Sequence, residues 1–172
     1  IKNIGSQYKI IFFLQRRVAD IRIIFMLYKI VPMQVLTANS KEDLCKCFEV
    51  MKELRPHHNL ESFLTTMEQM QKEGYHLLYL EDEGRPVCVA GFRFTTTLYD
   101  GLIIDFDDFV TIAAARGKGY AGHLFDHLLG IAIERSIKTI HLNSNHLRFN
   151  AHRFYLNKKM KIIAHHFRME VQ

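Results

Sequence analysis

Residues 110–122 run Val-Thr-Ile-Ala-Ala-Ala-Arg-Gly-Lys-Gly-Tyr-Ala-Gly, an apolar strand-forming stretch that passes through a basic, glycine-punctuated turn into a helix. The first N–H groups of a helix have no partner within it and carry the positive end of its dipole, so such a junction attracts negative charge. Gly117, Gly119 and Gly122 admit positive φ and close approach to the backbone, and Arg116 and Lys118 add cationic side chains. The pattern predicts a site for a phosphate. A plain strand-to-helix connection with solvated basic residues has the same composition, so the turn alone does not decide. A Walker loop is excluded, because Lys118 is followed by Gly119 and has no glycine at the required distance before it. Gly117, Gly119 and Gly122 do fit the spacing of a dinucleotide fingerprint, and there context has to choose.

The chain has 172 residues, 48% of them hydrophobic, which is the size of one domain with a substantial core. Three cysteines form no disulfide framework and point to a reducing compartment, hence a cytoplasmic protein. Cys45 and Cys47 fall on different sides of a predicted helix and are poor joint metal ligands. The net charge of +5 suggests nucleic acid only until the charges are located. Residues 1–32 hold six basic residues against Asp20 alone, so residues 33–172 are neutral overall and give no electrostatic footprint for a nucleic acid.

Residues 1–32 are read as a basic, apolar extension separate from a domain over residues 33–172. Met33 is the first plausible start before a strand, and the extension's apolar runs are too short to span a bilayer. Ile10, Leu14, Val18, Ile21, Phe25 and Tyr28 recur at helical spacing, which predicts an amphipathic helix for a membrane surface or a partner. A non-native extension is the other reading.

Beyond it, residues 34–37 read as a strand. Ser40 with Asp43 starts a helix whose stripe is Leu44, Cys47, Phe48, Met51 and Leu54. Asn59 caps a second, with Leu60, Phe63, Leu64, Met67 and Met70, closed by Gly74. Strands at 75–80 and 87–94 flank a turn over 81–86, and a third covers 102–112. A helix follows the glycine turn with Leu124, Phe125, Leu128, Leu129 and Ala132 on one face. A strand at 139–142, a short helix at 150–158 and a strand pair at 161–164 and 166–171 complete the order β-αα-βββ-α-β-α-ββ. The class is α/β (α+β), a mixed, mostly antiparallel sheet flanked by helices.

This order, with Arg116-x-x-Gly119-x-Ala121 after the fourth strand and Ala151-His152-Arg153-Phe154-Tyr155 opening the last helix, resembles the GNAT superfamily of acyl-CoA-dependent N-acyltransferases. Asp107-Asp108-Phe109-Val110-Thr111 and His166-Phe167 are similar to a bacterial branch of it. The resemblance spans residues 34–171 and outweighs the dinucleotide reading. It implies an enzyme, an N-acetyltransferase that moves an acetyl group from acetyl-CoA directly to the primary amine of a small molecule or a protein, with no metal. The fourth and fifth strands would splay, and the backbone edge at Phe109, Val110 and Thr111 would take the pantetheine arm. The N–H groups of Arg116, Gly117, Lys118, Gly119, Tyr120 and Ala121 would hold the pyrophosphate. Tyr155 would protonate the departing CoA thiolate, and Asp105 or Asp107 would take the amine's proton.

With period two, Asp105, Asp107, Phe109 and Thr111 share one face and Asp108 the other. Acids in such a row also serve as a cleft for a cationic substrate or as solvated residues. The family often has glycine where Lys159 stands, and Lys in a left-handed C-cap costs about 1 kcal/mol. Arg148 replaces an asparagine common at that position. These two departures support a different class of protein, a catalytically weak acyl-CoA-binding or regulatory module of the same fold, and a homodimer is compatible with either. His123 and His127, four apart on one helix, have no third ligand in view and are read as solvated.

Overall fold

The computed structural model describes residues 33–171. The expectations for residues 1–32 lie outside the described residues. Five strands form one sheet in sequence order: β1 (Val35–Thr37), β2 (Tyr75–Asp82), β3 (Arg85–Thr97), β4 (Gly101–Thr111) and β5 (Thr139–Leu142). The first four pair antiparallel and β5 joins β4 in parallel, so the sheet is mixed and mostly antiparallel, as expected. Helices α1 (Lys41–Lys52) and α2 (Leu60–Lys72) cover one face. Helices α3 (Tyr120–Glu134) and α4 (Phe149–Asn157) cover the other.

Local chemistry explains most of these boundaries. The Ser40 hydroxyl accepts from the Asp43 N–H while Asp43 accepts from the Ser40 N–H, a full capping box. Asn59 and Ser62 repeat the device on α2. The apolar stripes of both helices are buried against β2 and β3 through Phe48, Met51, Phe63 and Met67. On α3, Leu124, Phe125, Leu128 and Ala132 are buried, whereas Leu129, placed in that stripe by spacing, is 43% exposed and Tyr120 is buried instead.

Two expectations are corrected. The turn between β2 and β3 is two residues, not six. Glu83 and Gly84 both take positive φ, 52° and 76°, which matches the twist of a hairpin and lets Asp82 pair with Arg85. The strand pair at 161–164 and 166–171 does not form. Those residues have no ladder partners, and Ile162, Phe167, Met169 and Val171 are 76–92% exposed. Period-two alternation is necessary for a half-buried strand but does not supply the neighbour that makes one, and β5 presents an edge of only four residues.

Candidate active site

The cleft begins where β4 and β5 stop pairing. Their register runs from Ile103–Thr139 to Phe106–Leu142 and goes no further. Beyond it lies a cleft of about 980 Å³, walled by β4 from Phe109 to Thr111, by the turn into α3, and by α4. Phe109, Val110, Thr111, Arg116, Gly117, Gly119, Tyr120 and Ala121 all line it, together with Tyr155. Lys118 does not, and neither do Asp105 and Asp107.

The turn into α3 differs from the starts of α1 and α2. Its N-cap, Gly119, has φ 89°, has no side chain to cap with, and follows Gly117 at φ 79°. The first bond of the helix is from the His123 N–H to the Gly119 carbonyl. The helix start thus has no side-chain cap, and Arg116, Gly117 and Gly119 before it line the cleft. The glycines are required for conformation, since nothing lies within 4 Å of where a Cβ would stand.

The side chains around the turn hold it in place. Arg116 donates from Nε to the Thr111 carbonyl at 3.1 Å and pairs with Glu53 at 2.6 Å. The other carboxylate oxygen of Glu53 accepts from the Ala113 N–H at 2.8 Å. Arg116 therefore anchors the loop to the end of α1 and is not a free cation in the cleft. The Tyr120 hydroxyl donates to Asp82, so Tyr120 offers the cleft its backbone.

Helix α4 is carried on aromatic rings. Phe154 stacks on Phe109 with centroids 5.8 Å apart and meets Phe125 edge-on, and Lys158 pairs with Asp126 of α3. This seats Tyr155 beside Phe109, centroids 6.4 Å apart. Burial pushes the Tyr155 hydroxyl up to about 12, so it keeps its proton throughout the neutral range. Past α4 the chain turns through Lys159 at φ 68°, with Met160 N–H bonded to the Tyr155 carbonyl and Lys159 N–H to that of Leu156. This is the left-handed cap that glycine favours, adopted here by lysine.

The expected face of β4 is also corrected. Phe92 opposes Phe106 and Gly91 opposes Asp108, which leaves Asp107 without a partner in a bulge. The bulge inverts the alternation. Phe106 and Phe109, three residues apart, stack on the same face at 5.7 Å. Asp108 turns to the opposite face, where the Tyr75 hydroxyl donates to it at 2.8 Å and Arg55 pairs with it at 2.8 Å. A methyl at position 91 would collide with that Tyr75 hydroxyl, which is why glycine sits opposite Asp108. Asp107 lies on the same side as Asp108, bound at 2.8 Å by Arg93, whose guanidinium stacks over the Tyr75 ring.

Asp105 opposes Arg93 across the β3–β4 ladder and His141 across the β4–β5 ladder. Burial first, and then the charge of Asp107, holds its carboxyl above the usual range. Of the two acids singled out in the sequence, Asp107 is held in an ion pair and Asp105 is half-buried. Sequence reasoning missed Glu53, Arg55, Tyr75, Arg93 and His141. None belongs to a motif, and each enters through register or through contacts 14 to 63 residues away.

His123 and His127 are both exposed, and no group of three His, Cys, Asp or Glu residues suited to a metal occurs among the described residues. No described helix is long and apolar enough to cross a membrane.

Known proteins fit this geometry. The pattern described as Acetyltransferase (GNAT) family matches residues 41–160. An N-acetyltransferase of Bacillus subtilis (strain 168) called YhdJ, itself described as uncharacterized, is 32% identical over 120 residues, which is 69% of this chain and 84% of that protein. A transcriptional regulator from Bacillus halodurans C-125 superposes with a TM-score of 0.71 at 21% identity, over 81% of this chain and 99% of the other. The aminoglycoside N-acetyltransferase AAC(6')-Iy, solved in complex with CoA, superposes with a TM-score of 0.71 at 12% identity, over 81% and 95%. At such identities the two structures establish the fold.

Proposed function

The chain belongs to the acetyltransferase (GNAT) family and is an acetyl-CoA-dependent N-acetyltransferase, and from that premise we propose how its own residues divide the work. The observation that carries the proposal is the uncapped, glycine-initiated start of α3 facing the cleft, beside two other helices that both have full capping boxes. The N–H groups from Gly117 to Ala121 receive the diphosphate of CoA. Arg116 acts by holding this loop against Glu53. The pantetheine arm lies along Phe109, Val110 and Thr111, bonding to backbone groups that β5 leaves free once the strands part.

With the thioester so placed, the acceptor's amine attacks its carbonyl, and much of the rate comes from that placement. The C–S bond breaks as the intermediate collapses, and Tyr155 gives its proton to the sulfur. An alkylamine is an ammonium at neutral pH and must lose a proton before attack. Asp105, on the face of β4 that carries Arg93 and Asp107, takes that proton. The same face, with its half-buried carboxylates, suits a small molecule or peptide that presents a cationic amine. The assignment of residues 33–172 as one catalytic domain, cytoplasmic and without nucleic-acid partners, is part of the same reading.

The test is a thiol-release assay with acetyl-CoA and a panel of amines: spermidine, 2-phenylethylamine, an aminoglycoside and a lysine-containing peptide. Turnover of at least one, falling steeply in Tyr155→Phe and Asp105→Asn, is expected. CoA binding with no turnover of any amine would instead support an acyl-CoA-binding module.

A further inference from the structure

His141 belongs to no motif, yet it occupies the end of β5 next to the point where the cleft opens. Its register partner is Asp105, one rung below the last β4–β5 pair, Phe106–Leu142. Register partners in a parallel ladder lie about 4.8 Å apart and point to the same face, so the imidazole shares a face with Asp105, Arg93 and Asp107. On its other side Nε2 stands 3.0 Å from the Asp100 carboxylate. The pair stands within ion-pair distance, which becomes a charge contact when the ring is protonated, and is not an aligned hydrogen bond. Nε2 is buried and has no hydrogen-bond partner among the described residues. Asp100 is itself fixed, because its N–H bonds to the Thr97 hydroxyl at 3.0 Å in the turn that leads into β4. A buried ring nitrogen without a hydrogen-bond partner, beside one carboxylate and on the same sheet face as a second, costs stability unless a proton or a ligand uses it.

The charged groups on this face are Asp100 of the β3–β4 turn, 3.0 Å from the ring, and, by register, Asp105 of β4 with Arg93 and Asp107 next to it. His141 in turn favours the ionised form of Asp105, as Arg93 does.

Building on the acetyltransferase reading above, we propose that His141 is the residue on which the acceptor's proton comes to rest. The ammonium gives one proton to the Asp105 carboxylate, solvent water between the two side chains relays it to the His141 imidazole, and the amine is left with a free lone pair. Asp100 and Asp105 stabilise the imidazolium that forms, as a buried charge requires. The lone pair then forms the C–N bond and the C–S bond breaks. The second proton leaves nitrogen to solvent as the intermediate collapses, and solvent returns one to the tyrosinate left when Tyr155 protonates the sulfur. Between turnovers His141 returns its proton to solvent, so no oxidant, metal or further reactant is involved.

The experiment is the pH profile of transfer to whichever of the four panel amines is turned over fastest, measured for the parent, His141→Asn and His141→Gln, with the fold of each checked by circular dichroism. At pH 7 both variants should lose about 100-fold in kcat, while KM for acetyl-CoA stays within about two-fold. The loss should shrink as pH approaches that at which the amine ionises unaided, near 10 for an alkylamine. Rates that run parallel to the parent at every pH, or that match it, would overturn the role of His141 and leave the acetyltransferase reading intact. Failure of the parent to turn over any amine would instead remove that reading, and this proposal with it.

Discussion

Arg55 and Asp108, 53 residues apart, form a part-buried ion pair at 2.8 Å that fastens the segment after α1 to the bulged centre of β4. Asp108 is 7% exposed, and the Tyr75 hydroxyl is its other partner. The pair sits where the strand's alternation inverts.

Replacing Arg55 with Met should leave a buried carboxylate with one partner instead of two. Arg55 is 44% exposed, so solvent recovers part of the loss, and the expected destabilisation is about 2 kcal/mol by urea titration. Burial already drives the Tyr75 hydroxyl well above its ordinary value, so it remains a neutral donor and cannot replace the lost cation.

Tyr155→Phe should reduce kcat about 100-fold with little change in KM for acetyl-CoA, read in steady-state kinetics. Its burial also makes a prediction about stability. The folded protein holds this proton up to about 12 against an unfolded value near 10, so the folded state binds more protons between those values. Stability therefore falls as pH rises across that window. Tyr155→Phe should flatten this fall in part, because Tyr79, held at about 12, remains.

Arg116 and Glu53 should behave as one unit. Arg116→Ala and Glu53→Ala should each loosen the loop and weaken CoA binding, while the double variant loses less than the sum. The coupling expected for a pair exposed to 61% and 31% is about 0.5–1 kcal/mol, measured by calorimetry. Additive losses would show that Arg116 contacts CoA independently of Glu53.

Lys159→Gly should stabilise the protein by about 1 kcal/mol in urea titration, because φ 68° is costly for lysine and open to glycine. The departure from glycine at this position is thereby a cost in stability. The backbone follows the glycine-favoured path regardless, which removes one of the two arguments for a non-catalytic module.

The parts of this structure legible in the sequence are those set by neighbours in the chain. Ser40 with Asp43, Asn59 with Ser62, and the glycines at 117 and 119 each act within a few residues, and all stand where their local chemistry predicts. The departure at Lys159 is of the same local kind but misleads: the connection keeps the left-handed φ of a glycine cap and is not bent differently. What the sequence hides is register. The bulge at Asp107 exists only in the pairing of Gly91 with Asp108 and Phe92 with Phe106, and it reverses the face of Asp108. The row of Arg93, Asp105 and His141 arises the same way, from three strands that meet side by side. The alternation of Phe167, Met169 and Val171 misleads for the complementary reason, since the pattern is present and the partner strand is not.

The most direct measurement is calorimetric titration of the protein with CoA and, separately, with pantetheine, which lacks the diphosphate. If the N–H groups at the start of α3 grip that diphosphate, CoA binds with clear heat and at least about 100-fold more tightly than pantetheine, a difference of about 2.7 kcal/mol. No heat with CoA at millimolar concentration, or equal affinity for the two, would contradict the account.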